Sequence, residues 1–303
     1  MYGSCLGYGL AVKLVSNLEI SRAQRLDQRV VEMIPELSRG FANKLVDDGK
    51  VTVNGKVITK PGHKLWEDDV VVVDYDVAEL EAIPDIDLPV LYEDDDCVVI
   101  EKPLGLLVHS KGAMNPEATV ATWLRSRVKD IAGNRAGIVH RLDRATSGVM
   151  ICAKTPEALS WLQKQFSTRK TKKTYMAVLS KVPTLEEAII DMPIERNPKA
   201  PATFRVGING KPAQTKYTVL ETFADGSCVV ELAPVTGRTH QLRVHMAHLG
   251  TPIIGDMLYG GAEADRMYLH AHSLELTIVK DHERKVFTSP VPDSFYKGRT
   301  EAK

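Results

Sequence analysis

The stretch Ile138-Val139-His140-Arg141-Leu142-Asp143-Arg144-Ala145-Thr146-Ser147-Gly148 runs straight into Val149-Met150-Ile151-Cys152-Ala153. Thr146, Ser147 and Gly148 are turn formers, and the apolar and β-branched residues after them have strand character. Asp143 is therefore expected on a loop anchored by a buried strand, a common place for catalytic groups. It stands between Arg141 and Arg144, an unusual setting for a surface acid. The plainer reading is a loop aspartate that bonds neighbouring amides.

Working outward, Thr155-Pro156-Glu157 has the marks of a helix start: a cap, a proline at the first helical position and an acid in the first turn. Ala158, Leu159, Leu162 and Phe166 form its apolar stripe. The densest basic run, Arg169-Lys170-Thr171-Lys172-Lys173, precedes a strand from Tyr175 to Leu179. Thr239 is expected to cap a helix through Leu249, with Arg238 just ahead of its N-terminus, where dipole and free amides favour an anion. Val90-Leu91-Tyr92 and Val98-Val99-Ile100 flank the Asp94-Asp95-Asp96 turn and predict a hairpin. Strands alternating irregularly with helices argue for an α+β fold with a mixed sheet and packed helices.

Toward the N-terminus, Leu26, Val30 and Met33 lie at helical spacing before Pro35. A second short helix follows, with Ser38 as cap, Phe41 and Leu45 on one face and Gly49 at its end. Asn54-Gly55 then turns a hairpin within Val51 to Val57. The valine-rich segment 70–76 completes a small sheet, and the acidic segment 77–85, punctuated by Pro84, has linker character.

The chain has 303 residues, of which 44% are hydrophobic and 26% charged, so one large and one small domain are expected. No apolar run is long enough to span a bilayer, so membrane insertion is not expected. Met1 to Leu10 is glycine-rich and lacks a basic leader ahead of an apolar core, which argues against a secretory signal. Cys5, Cys97, Cys152 and Cys228 are far apart and form no metal-type pair, which suits a reducing cytoplasm. Lys plus Arg equals Asp plus Glu, 39 against 39, so any nucleic-acid surface must come from local clustering of charge.

His140-Arg141-Leu142-Asp143-x-x-Thr146-Ser147-Gly148 resembles the signature of the RluA-type pseudouridine synthases. Four further segments resemble that family in the right order. They are Glu101-Lys102-Pro103 with Gly105, Val108 and His109; Lys173 to Val178; Gly237-Arg238-Thr239-His240-Gln241-Leu242-Arg243-Val244-His245; and Pro252 to Gly260 with Leu269-His270-Ala271. The likeness covers about residues 89–290, and about 21–76 resembles an S4 RNA-binding module. Residues 1–20 and 291–303 are then expected as tails and 77–88 as a linker.

The resemblance implies a largely antiparallel catalytic sheet beside a small S4-like α/β domain. It also implies conversion of specific uridines in structured RNA to pseudouridine. Large-subunit ribosomal RNA is the first expectation and transfer RNA the second. The reaction loses no atom and needs no redox change, so no cofactor and no metal are expected, and the chain is expected to act as a monomer. The implied catalytic residues are Asp143, Tyr175 and Arg238. Arg238 would hold Asp143 ionised against the effect of burial. The carboxylate would attack the anomeric carbon or the uracil ring, or stabilise charge as the base leaves. Tyr175 would stack on uracil and assist proton removal from the ring carbon. The target has to be flipped out of the RNA, with Arg141 entering the gap or holding the backbone. Leu269 would close the apolar side, Lys173 and Arg169 contact phosphate, and His140 and His270 orient or pack. On the S4-like module, Arg22, Arg25, Arg39 and Lys44 would face phosphates. Two rivals remain: a metallohydrolase built on His240, His245, His248, His270 and His272, whose spacing is poor, and a non-catalytic S4-type RNA-binding protein.

Overall fold

The computed structural model describes residues 12–16, 24–34, 37, 39–66, 68–75, 84–109, 117–131, 135 and 137–300. They form two compact units. One is drawn from the chain up to Ile86 with His109–Trp123 and Ala132–Arg135. The other is drawn from Asp87–Val108, Leu124–Ile131 and Ala136–Lys303.

The smaller unit contains β1 (Val12–Ser16), β2 (Gln24–Arg25), α1 (Leu26–Met33), α2 (Arg39–Asp47), β3 (Val51–Val53), β4 (Lys56–Val57), β5 (Lys64–Leu65) and β6 (Val71–Tyr75). Leu26 and Val30 from α1, Ala42, Leu45 and Val46 from α2, and Val51, Val53, Val71 and Val73 from the strands share one buried core. Helical and alternating apolar spacings thus meet on a common face. Asn54 and Gly55 both take positive φ, 50° and 76°, as a two-residue hairpin turn requires. Residues 12–16, expected within a tail, instead form β1, which pairs antiparallel with β6. The Met1–Leu10 tail, the Ser38 cap, Arg22 and linker residues 77–83 lie outside the described residues.

The larger unit is built on a nine-stranded sheet. Its elements are β7 (Val90–Glu93), β8 (Cys97–Lys102), β9 (Ser147–Ala153), α4 (Pro156–Ser167), β10 (Lys172–Leu179), β11 (Glu187–Asp191), the β12–β13 hairpin (Ile194–Arg196 and Phe204–Val206), β14 (Gln214–Thr222), β15 (Cys228–Pro234), α5 (Gln241–His248), β16 (Leu269–Thr277) and β17 (Arg284–Thr288). A short helix, α3 (Val120–Leu124), precedes β9 in the chain, with residues 120–123 grouped in the smaller unit. The strand order is β11-β14-β15-β10-β16-β9-β8-β7, and β17 pairs with β16. Every pairing is antiparallel except β16 with β9.

That parallel pairing sits just after the Asp143 loop, with His270 opposite Ser147 and Ala271 opposite Gly148. Gly148 has φ 115°, and a Cβ there would run into the Ala271 carbonyl oxygen. The glycine is required by close approach of two backbones as well as by its dihedral. All seven residues of β9 are buried, which is why the strand reads as an unbroken apolar run. α4 covers part of it through Ala158 and Leu162. The Thr155 hydroxyl caps this helix by accepting from the Ala158 N–H at 3.2 Å.

α5 begins differently from expectation. Its N-cap is His240, at φ 55°, and no side chain caps it in the usual way. Gln241 takes over the work expected of Thr239: its Oε1 accepts from the Arg238 N–H and from the Thr236 hydroxyl, while its Nε2 donates to the Gln214 carbonyl. Beyond 290 the chain remains packed. A single turn at Asp293–Phe295 buries Phe295 completely in the core around β10, β15 and α5, so that part of the expected C-terminal tail belongs to the domain.

Candidate active site

Asp143 opens a tight turn, with the Thr146 N–H donating to its carbonyl at 3.0 Å. Buried residues fix the turn on both sides: Leu142 before it, and Thr146 and Ser147 after it. Ser147 Oγ lies 2.9 Å from His270 Nδ1 and accepts from Arg266 Nη2 at 2.7 Å. Beneath the loop, fully buried Lys102 donates to the carbonyls of Pro103, Leu106 and Arg144, at 2.8, 2.9 and 3.4 Å. Burial lowers its pKa to about 8. One ammonium thus ties the residue following Asp143 to the end of β8, and the carboxylate itself stays 19% exposed toward a cavity.

The cavity, about 500 Å³, brings together eight of the nine residues expected at the catalytic site, Asp143, Tyr175, Arg238, Arg141, His140, Leu269, Lys173 and Arg169, while His270 lies outside its lining, buried against Ser147 and Ser289. Among the described residues lining it, Asp143 is the one carboxylate, against the cations Arg141, Arg169, Lys173, Arg238 and Arg243. Positive charge is concentrated here although the chain is neutral overall. Such clustering suits a polyanion.

The partner of Asp143 is not Arg238. Arg243 Nη1 meets Asp143 Oδ2 at 3.3 Å, and the same guanidinium grips Asp256 through Nε and Nη2, both at 2.7 Å. Arg238 stands at the rim and donates from Nε to the Pro212 carbonyl at 3.0 Å. The cause is where the helix begins. The His240 turn leaves Arg238 outside α5, facing the chain after the β12–β13 hairpin, while Arg243 falls in the first turn on the buried side. Burial alone would lower the pKa of Arg243, but bonds to Asp256 and the charges of Asp256 and Asp143 raise it above the ordinary value. It remains a cation in the pocket.

Tyr259 completes this cluster. Its ring faces the Arg243 guanidinium at 5.0 Å, its hydroxyl lies 2.8 Å from His240 Nδ1, and it accepts from the Phe204 N–H at 2.9 Å. His240 Nε2 is 3.9 Å from Asp143 Oδ2. Burial lowers the pKa of His240, while the Asp143 charge acts in the opposite direction.

Tyr175 lies on β10 opposite Leu232 of β15 and Ala271 of β16. Burial, then the charge of Asp143, raises its pKa. The phenol is therefore held protonated, so it enters any proton transfer as a hydroxyl and not as a standing base. Leu269 is buried at the start of β16 and closes one wall. Lys173 donates to the Thr236 carbonyl at 3.1 Å, and burial brings its pKa down to about 8. His140 packs on Phe166 and accepts the Ile151 N–H at Nε2, 3.1 Å away; burial, then Lys173, brings its pKa down to about 3. It orients the loop as a neutral ring and is not free to grip a phosphate. His245 is likewise engaged, by Thr215 Oγ1 and the Met192 carbonyl.

On the small unit, Arg25 and Arg39 both bind the buried Asp27 carboxylate, at 2.9 and 2.8 Å. Part of their charge is committed to the fold. Lys44 is exposed in the last turn of α2.

Sequence reasoning missed Arg243, Asp256, Tyr259 and the anchoring part of Lys102. The available signal was an arginine inside a mostly buried helix turn, which calls for a buried acid nearby; Asp256, between Gly255 and an apolar stretch, is such an acid.

Two family models match the chain: "RNA pseudouridylate synthase" over residues 96–248 and "S4 domain" over 24–71. A ribosomal large subunit pseudouridine synthase D of Yersinia pestis is 41% identical over 246 residues, 80% of this chain and 75% of the relative. Its namesake in Escherichia coli strain K12 is 40% identical over 272 residues, 84% of this chain and 82% of the relative. Among solved structures, human RNA pseudouridylate synthase domain containing 1 superposes with a TM-score of 0.59 at 29% identity, covering 71% of this chain and 89% of that one.

Proposed function

The chain belongs to the RNA pseudouridylate synthase family and carries an S4 domain, and from that premise we propose that it isomerises uridines of large-subunit ribosomal RNA. Relatives at about 40% identity bear the name of that activity. In the reaction the bond from ribose C1′ to uracil N1 breaks, the base turns, and C1′ rejoins at C5. The C5 proton is lost and N1 gains one, so the product is an isomer of the substrate.

One observation carries the assignment of the site. Asp143 is the one carboxylate among the described residues lining a cationic cavity, and it is ion-paired at 3.3 Å yet still partly open to it. Asp143 is the group that attacks C1′ or the uracil ring, or that assists departure of the base. Arg243 pairs with it at 3.3 Å and fixes its direction. Tyr175 and Leu269 flank the uracil. Arg141, exposed beside Asp143, fills or braces the place the everted nucleotide leaves. Lys173, Arg169 and Arg238 contact phosphate in the catalytic domain, and on the S4 domain Lys44, with the outer faces of Arg25 and Arg39, contacts phosphate as well. In this reading the enzyme works as a cytoplasmic monomer without metal or organic cofactor; the rearrangement is redox-neutral and calls for no electron carrier. The buried thiols of Cys97, Cys152 and Cys228 accord with a reducing compartment.

The test is a map of pseudouridine across total RNA from cells with and without the protein. Loss of one or more positions in large-subunit ribosomal RNA is expected. Loss confined to transfer RNA would move the substrate, and an unchanged map would remove the proposal.

A further inference from the structure

We propose that Asp256 is a positioning residue of the active site, setting the plane of the Arg243 guanidinium so that one nitrogen reaches Asp143 while the second Asp143 oxygen stays open to substrate. This rests on the reading of Asp143 as the reacting group.

A guanidinium is a rigid planar fork. Two parallel bonds to one carboxylate fix its plane, and with it the direction of the remaining nitrogen. Asp256 makes those two bonds at 2.7 Å from a site 2% exposed, whereas the Asp143 contact is single and longer, 3.3 Å. Without Asp256, an arginine and an aspartate alone in a low-dielectric pocket would close into a bidentate pair, and both oxygens of Asp143 would be engaged. Two carboxylates share this one guanidinium, so Asp143 holds only one of its three nitrogens.

The loop carrying Asp256 is built to hold still. The Asp256 N–H donates to the Ile253 carbonyl, and its own carbonyl accepts from Tyr259 and Gly261. Gly255 has φ 81°, and a Cβ there would strike the Arg266 carbonyl; one at Gly261 would strike that of Ile253. Tyr259 from the same loop lays its ring on the guanidinium. Asp256 does not line the cavity, so its influence on the reaction has to pass through Arg243.

The experiment is single-turnover conversion of RNA, with RNA affinity measured alongside, for the wild type, Asp143→Asn, Asp256→Asn, Asp256→Glu, Arg243→Lys and Arg243→Lys/Asp256→Asn. Asp256→Asn should slow the chemical step by about 10- to 100-fold, the range for loss of an orienting partner, with affinity unchanged. Asp256→Glu keeps the buried charge, and so the fold, but displaces the carboxylate by a methylene; it should lose rate and keep affinity. A lysine at 243 has no plane to set, so Asp256→Asn should add no further loss in that background. Wild-type rates in folded Asp256→Glu, losses of rate and affinity in equal proportion, or additive losses in the double variant would each overturn the proposal. A wild-type protein that makes no pseudouridine would instead overturn the functional reading, and an active wild type with inactive Asp143→Asn separates the two.

Discussion

Replacing Arg243 by methionine tests the corrected pairing most sharply when set against the same change at Arg238. The Arg243 side chain is 9% exposed and faces the buried Asp256 and Asp143, whose side chain is 19% exposed. Arg243→Met keeps the packing length of the stem and leaves both carboxylates without their cation. Breaking a buried pair by removing one member costs about 3–5 kcal/mol. At roughly 2–4 °C per kcal/mol for a domain of this size, Tm should fall by about 6–20 °C. Arg238→Met removes one exposed bond to a carbonyl, worth about 1 kcal/mol net, so its Tm should move by only a few degrees. Thermal unfolding in the absence of RNA measures both variants, since RNA binding would add stability to whichever protein bound it better. The reverse order, a large loss at 238 and a small one at 243, would refute the assignment of Arg243 as the partner of Asp143.

Three further outcomes follow from the site. With a pKa of about 8, Lys173 loses its charge as pH rises through 8, so RNA affinity should weaken between pH 7 and 9 in the wild type. A Lys173→Met variant should lack that drop, and equal pH profiles would exclude Lys173 as a phosphate contact. Tyr175→Phe should retain RNA affinity and slow turnover, whereas unchanged turnover would remove the hydroxyl from the mechanism. His140 and His270 are held by burial at about 3 and about 4. As pH falls below about 6.5 the unfolded chain takes up protons that the native rings refuse. Stability present above 6.5 should then drain away at about 1.4 kcal/mol per pH unit for each ring, and a Tm that stays flat from pH 7 to 5 would contradict it.

The parts of the molecule that were legible in the sequence are those set by local chemistry. Thr155-Pro156-Glu157 marks a helix start because cap and proline act within one turn, and Asn54-Gly55 marks a hairpin because both residues must take positive φ. Asp143 was legible because a polar turn abuts a strand buried on both faces. The Arg238–Arg243 choice was not legible. It depends on His240, a non-glycine residue held at φ 55° as the N-cap, one residue later than the cap expected at Thr239, and on Asp256, an acid outside the helix that grips Arg243. The parallel β9–β16 pairing and the burial of Phe295 were equally hidden, since both join segments far apart in the chain. The strand at 12–16 was missed because its five residues form a strand only by pairing with β6.

The most direct measurement is conversion of a large-subunit ribosomal RNA fragment, carrying a site mapped in cells, by Asp143→Asn under single-turnover conditions, with affinity for the same fragment read in parallel. No pseudouridine and wild-type affinity are expected. Conversion by the folded variant at the wild-type rate would contradict the role given to Asp143.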